Sequence, residues 1–531
     1  MRVVINALIG AVALIALAAC GGDLNPAWDQ PREMEGPIIL EEAVVYLDHN
    51  FEELFVLRSH VEDGEPRLEV ERQATGERPD YMVASAAGDA IYLINRGDET
   101  LSIFSIDDEV VEREDVALTS PYDRITVDPE GEFILLSNSG RSEDAVLQNL
   151  NEVGIVDLRD GVPESVRVLT LPVRAQNLEL MPSFEFDGEP QRIAVALAPS
   201  EVAFVDLVAE RDIDRVRSVP LTISQADTVR NPTQVVFDAP GPESSSASLF
   251  LLDDRSNDVT QIEMSPALGD NPTRKLNVSV NQLAAGQNPH RIAILDLDSG
   301  KRLLALDGSS PEFTLVDVAS AESATFSLPM SHVATDMEIY SARDPFTEEL
   351  EKRVIAYSRF STLIAVIRPE SISVGSETPT LGKTVEDIRL DAVPTELILD
   401  ERGDAERAVM LHPGGQDGFT ILNLQTNRPI SLTGFNPSQI ILDGRTAYGI
   451  FGNTAHMVRF DLESGDYWTY PLPLAGRSIF LSPDKESVLI RHDGDAGRFT
   501  VLARGSYAPE DALFYEHLFL DGILARPAFE E

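Results

Sequence analysis

Val153-Gly-Ile-Val-Asp-Leu158, Val202-Ala-Phe-Val-Asp-Leu207 and Phe313-Thr-Leu-Val-Asp-Val318 are one pattern written three times. Each places apolar, mostly β-branched or aromatic residues over four positions and stops at an Asp. That describes a short strand ending in a turn. Residues 419–424 and 457–462 follow the same rule with Asn423 and Asp461 in the fifth place. Looser copies occupy 54–58, 101–106, 259–264, 363–368 and 499–504. The copies recur roughly every 50 residues, so the chain is an array of similar units.

Two further strands precede each copy. The nearer is a continuous apolar run ending in a polar residue, as in Ile91-Tyr-Leu-Ile-Asn95, Phe133-Ile-Leu-Leu-Ser-Asn138, Leu249-Phe-Leu-Leu-Asp253 and Leu303-Leu-Ala-Leu-Asp307. The farther is often introduced by a proline: Pro79, Pro121, Pro232, Pro289, Pro394 and Pro437. Gaps of double length after Pro121 and Pro289 each conceal a unit whose proline is missing. Turns such as Asp128-Pro-Glu-Gly131 separate the two runs, and a polar fourth strand follows the copy. Four antiparallel strands at this period make the blade of an all-β propeller. Ten units are countable, and the expected ring has seven to ten blades over residues 38–531. Helix signals are nearly absent; residues 347–353 are the one stretch read as two helical turns.

Arg124-Ile-Thr-Val-Asp-Pro-Glu-Gly131 with Phe133 to Gly140, and Ile91 to Gly97 with Thr100 to Asp107, resemble the repeat of the YVTN-type, WD40-like β-propellers. The resemblance is close in those two units and survives only as a pattern elsewhere.

The N-terminus reads as an address. Met1-Arg2 and an apolar run to Leu17 are too short to span a bilayer and fit the core of a signal peptide. The run ends in Leu17-Ala-Ala-Cys20, which resembles a bacterial lipobox. The resemblance implies cleavage after residue 19, and diacylglyceryl and acyl chains such as palmitate on Cys20. Several such chains hold a protein on a membrane almost permanently. Gly21 in place of an Asp after the cysteine implies outer-membrane sorting. Residues 20–37, with Pro26, Pro31 and Pro37, read as a tether.

Composition removes several function classes. Asp and Glu number 89 against 42 Lys and Arg, a net charge of −47, which repels phosphate backbones and excludes nucleic acid as a partner. With five lysines in the chain, the acidic surface resembles that of proteins from salt-adapted bacteria. A single cysteine excludes a disulfide framework and a four-cysteine zinc site. There is no HExxH and no GxSxG. Gly382-Lys383-Thr384 lacks the first glycine of a phosphate loop. Asp296 to Lys301 reads as a hairpin turn in preference to a calcium loop, and Arg96-Gly97-Asp98 as a turn.

One constellation remains. Asp48, Asn95, Asp253 and Asp307 stand six positions before their template strand, and His412 and His492 seven before. Equivalent positions in successive blades share one rim, so these six are the candidate ligand-binding residues at a channel mouth. The competing reading makes each of them a turn residue bonding its own backbone. Two functions are expected. The first is a non-enzymatic binding or scaffolding lipoprotein of the cell envelope that holds a protein or polymer partner. The alternative is a calcium-dependent propeller hydrolase or lactonase, with Ca²⁺ in the acidic ring; no other cofactor is implied.

Overall fold

The computed structural model describes residues 32–527, apart from 63–64, 108–109, 140–148, 187–188, 210–214, 223–229, 239–245, 255, 267–275, 344–348, 375–383, 400–405, 413–417, 493–495, 506–511 and 521–523. The signal peptide and Cys20 lie outside the described residues, as do Gly382 and Lys383.

The chain forms a ten-bladed β-propeller. Blade 2 shows the plan: Pro79–Ala84, Ala90–Asn95, Thr100–Ile106 and Val111–Ala117 pair in sequence order, all antiparallel. Every other blade also takes its strands from one continuous stretch of chain. Blade 4 carries an extra hairpin, Phe184–Phe186 with Glu189–Gln191, and blade 10 a fifth strand, Leu524–Pro527. All ten copies of the template are third strands, so the unit count read from the sequence is the blade count.

Burial explains the pattern. Second strands such as Ala90–Asn95, Ile193–Ala198 and Ala247–Asp253 are buried at every position, because both faces of a blade are covered by its neighbours. The outer strand Ser323–Ser327 instead alternates exposed and half-buried residues, the mark of a sheet edge facing water. The core is divided into ten apolar clusters, one between each pair of adjacent blades. The tenth joins Val44, Tyr46, Phe55 and Leu57 of blade 1 to Phe480, Phe499, Tyr515 and Phe519 of blade 10 and so closes the ring.

Two expectations need revision. Leu350–Tyr357 is the second strand of blade 7, paired with Asp336–Arg343, so residues 350–353 are not helical. The helix-favouring residues Leu350, Glu351, Lys352 and Arg353 are overridden by Val354, Ile355 and Ala356, whose burial against the neighbouring blades fixes the extended form. At the start of the chain, the strand Met34–Ile39 begins inside the stretch read as tether.

Candidate functional site at the ring mouth

The strand registers make the six candidate residues structurally equivalent. Asn95 faces Thr100, Asp48 faces Glu53, and the same register places Asp253, Asp307, His412 and His492 at the ends of their second strands. They share one mouth of the ring. All six are buried, and each makes hydrogen bonds inside or beside its own blade, Asp253 Oδ1 alone among their polar atoms being left without a partner.

In four blades the partner is a hydroxyl on the third strand. Asn95 donates to Ser102 at 2.7 Å, Thr260 donates to Asp253 at 3.1 Å, and His412 and His492 meet Thr420 and Thr500 at 2.9 and 2.7 Å. The second contact is to the loop entering the blade. Gly76 N–H donates to Asn95, and the Nδ1 atoms of His412 and His492 donate to the carbonyls of Val393 and Ala475. A carbonyl only accepts, so Nδ1 carries a proton, and Nε2 meets the threonine hydroxyl. Each side chain thus ties the entry loop to the third strand.

The charged members follow the same logic. Asp48 accepts from Arg32 at 2.8 Å and from the N–H groups of Asn50 and Phe51. Burial pushes the Asp253 carboxyl up, against the pull of Arg230, whose Nη1 lies 2.9 Å away. Burial acts on Asp307 too, but hydrogen bonds from Ser309, Ser310 and Gln287 outweigh it and hold its carboxyl below the usual range.

Blade 3 departs from this scheme. Its register puts Asn138 where blade 2 has Asn95, and Gly154 where blade 2 has Ser102. The expected hydroxyl is therefore missing. A Cβ on Gly154 would stand 2.7 Å from Val166 and 3.0 Å from the ring of Tyr122, so the fully buried Tyr122 takes the room where the third-strand side chain would project. Asn138 is 5% exposed, yet neither its Oδ1 nor its Nδ2 has a hydrogen-bond partner.

Asn138 lines a cavity of about 730 Å³ shared by blades 2, 3 and 4, within the range of small-ligand sites. Tyr81, Ile125 and Leu178 bring in the first strands of those three blades. Arg124, Arg174, Ser137, Ser139, Gln176 and Asn177 supply the polar wall. The Arg124 guanidinium stands 5.9 Å from the centre of the Tyr81 ring, and Arg174 Nη2 donates to the Ser139 carbonyl at 3.4 Å. The fixed spacing of six or seven residues misses Asn138, because it stands fifteen positions before Val153. The end of the apolar run was its one visible signal.

Elsewhere, Leu297 pairs with Gly300 in a tight hairpin, with Gly300 at φ +120°, as read for that segment. Arg96 pairs with Asp80 at 2.7 Å and Asp98 accepts the Glu77 N–H, so Arg96-Gly97-Asp98 is a braced turn.

No family model and no curated protein matches the chain. Solved structures similar to it include one described as a eukaryotic initiation factor, at 10% identity over 94% of this chain and 100% of that one, with a TM-score of 0.43. Dihydro-heme d1 dehydrogenase NirN in complex with DHE is similar at 14% identity over 83% and 75% of the two chains, TM-score 0.39. The WD40 domain of SCAP from fission yeast follows at 12% over 81% and 95%, TM-score 0.37. The propeller assignment stands on the strand pairing itself.

Proposed function

We propose that this chain is a lipid-anchored, non-enzymatic binding protein of the bacterial cell envelope, which presents one mouth of its ring to a protein or polymer partner. The observation that carries the reading is the cavity beside Asn138, whose buried amide oxygen and nitrogen both lack a hydrogen-bond partner. The anchor in this proposal is Cys20, and the face is that of the outer membrane, on the strength of Leu17-Ala-Ala-Cys20-Gly21.

Crosslinking in intact cells of the native host, followed by recovery of the lipidated protein from purified outer membrane, tests it. A stoichiometric partner is expected, together with release of the protein from the membrane by Cys20→Ser. A chain that fractionates with membranes regardless of Cys20, or that recovers no partner, overturns the corresponding half of the proposal.

A further inference from the structure

We propose that the blade 3 cavity is a binding site for a small N-acylated amino carboxylate, such as the free C-terminal end of a short peptide. The inference rests on reading the ring as a binding module and adds the chemistry that the module recognises.

Three observations converge. Asn138 is the one amide at this mouth position whose hydroxyl partner has been replaced by a glycine, and both of its polar atoms are buried and unpaired. Every equivalent side chain among the six candidates has a protein partner. A buried amide keeps such an arrangement at a cost unless something else completes its bonds. Its Nδ2 and Oδ1 together match a group that offers a carbonyl and an N–H side by side, which is a peptide amide.

The second observation is charge. The chain carries 89 acidic residues against 42 basic ones, yet the cavity wall contains two arginines and neither Asp nor Glu. Neither Arg124 nor Arg174 has a carboxylate partner among the described residues, whereas Arg32, Arg58, Arg96, Arg113 and Arg192 each pair with an acid. The nearby Asp123 is committed to the Ser139 N–H and hydroxyl, both at 2.6 Å. Exposed guanidinium forks over a cavity free of acid favour an anion, and the planar fork suits a carboxylate.

The third is architecture. Three first strands of consecutive blades contribute to the wall, and Asn138 directly follows the second strand of the middle one, Phe133–Ser137. A buried amide and two exposed guanidiniums set a direction: the amide of the ligand goes to Asn138 and its carboxylate stays with the arginines, nearer to water.

Calorimetric titration of the full chain with N-acetyl-dialanine, its C-terminal carboxamide and inorganic phosphate tests the site. Saturable binding of the free carboxylate is expected, weakened at least tenfold for the carboxamide, with phosphate a poor competitor. Asn138→Leu and the Arg124→Gln/Arg174→Gln pair should each weaken binding at least tenfold, and Arg428→Gln, on the outer strand of blade 8, should not. Asn138→Leu should also leave the unfolding temperature unchanged or raised, whereas a structural brace would lower it. Equal affinity for acid and carboxamide, preference for phosphate, or binding indifferent to Asn138 and the two arginines overturns the inference. If binding fails while the envelope partner is still captured, the carboxylate site falls and the binding-module reading stands. Retained peptide binding without any envelope partner has the opposite meaning.

Discussion

Leu68 donates its backbone N–H to the hydroxyl of Tyr515 at 3.1 Å, across 447 positions of sequence. The bond joins blade 1 to blade 10 and marks the seam of the ring. Around it the rings of Tyr46 and Phe55 meet Phe519 at a tilt and that of Phe499 meets it edge-on, with centroids 4.7 to 5.9 Å apart, and Arg491 lies over Tyr46 at 4.8 Å. The described strands of each blade all come from one stretch of chain, so side chains hold the two ends together.

Phe519 is the centre of that cluster and fully buried. Phe519→Ala is expected to cost about 3–5 kcal/mol, the range for an emptied aromatic site. Chemical unfolding measures it, and limited proteolysis should show both chain ends attacked first.

The mouth braces predict a graded series. Thr500→Val removes the hydroxyl from His492 Nε2 and leaves a buried ring nitrogen unpaired, at about 1–3 kcal/mol. Thr500→Ser keeps the bond and should cost much less. Thermal unfolding of the two variants separates loss of the bond from loss of the methyl group.

Arg230 serves Asp253 and Asp258 together, at 2.9 and 2.8 Å, and the Asp253 side chain is 1% exposed. Arg230→Met strands a buried carboxylate and is expected to destabilise blade 5 by about 3–5 kcal/mol. Adding Asp253→Asn should recover part of the loss, which a double-mutant cycle will show.

His49 places Nε2 2.8 Å from Glu35 and Nδ1 2.9 Å from the Pro79 carbonyl, tying blade 1 to blade 2. Both partners accept, so the doubly protonated ring fits, and the Glu35 hydrogen bond pushes its pKa up to about 9. The native state therefore binds the proton more tightly than the unfolded chain does. The stabilisation is complete below the ordinary value of 6.5 and disappears as the pH rises through about 9. Unfolding temperature should fall across that window in the native chain and fall less in His49→Gln.

With a net charge of −47, self-repulsion should be relieved by salt. The unfolding temperature is expected to rise clearly between low and molar sodium chloride as the Debye length shrinks from tens of ångströms to about 3 Å. A flat response would count against a salt-adapted surface.

Much of this fold was legible because propeller blades repeat locally. The template strand, the buried run before it and the proline that opens the first strand all act within about 50 residues, and Pro79, Pro232 and Pro289 are indeed first residues of their strands. The six mouth positions were legible too, since their spacing to the next strand is fixed by a short turn. Their bonds were not. Whether Asn95 faces a channel or the Ser102 hydroxyl depends on side-chain direction, which spacing does not encode. Asn138 escaped for a related reason: its spacing to the next strand is longer, and its isolation is caused by Gly154 and Tyr122, whose meeting is a tertiary event. Blade 7 was misread at residues 350–353 because local helix preference was outweighed by burial that only the neighbouring blades supply.

A ring assembled from contiguous blades and shut by side chains has an order of completion. Nine of its ten interfaces can form as the chain emerges from amino to carboxyl end, each new blade covering the bare face of the last. The tenth waits for Phe499, Tyr515 and Phe519, which belong to the last blade of the ring. Until they arrive, the molecule is an open arc with the apolar face of Tyr46 and Phe55 exposed at one end and the newest blade at the other. The last blade thus decides whether that arc closes on itself or on a second copy.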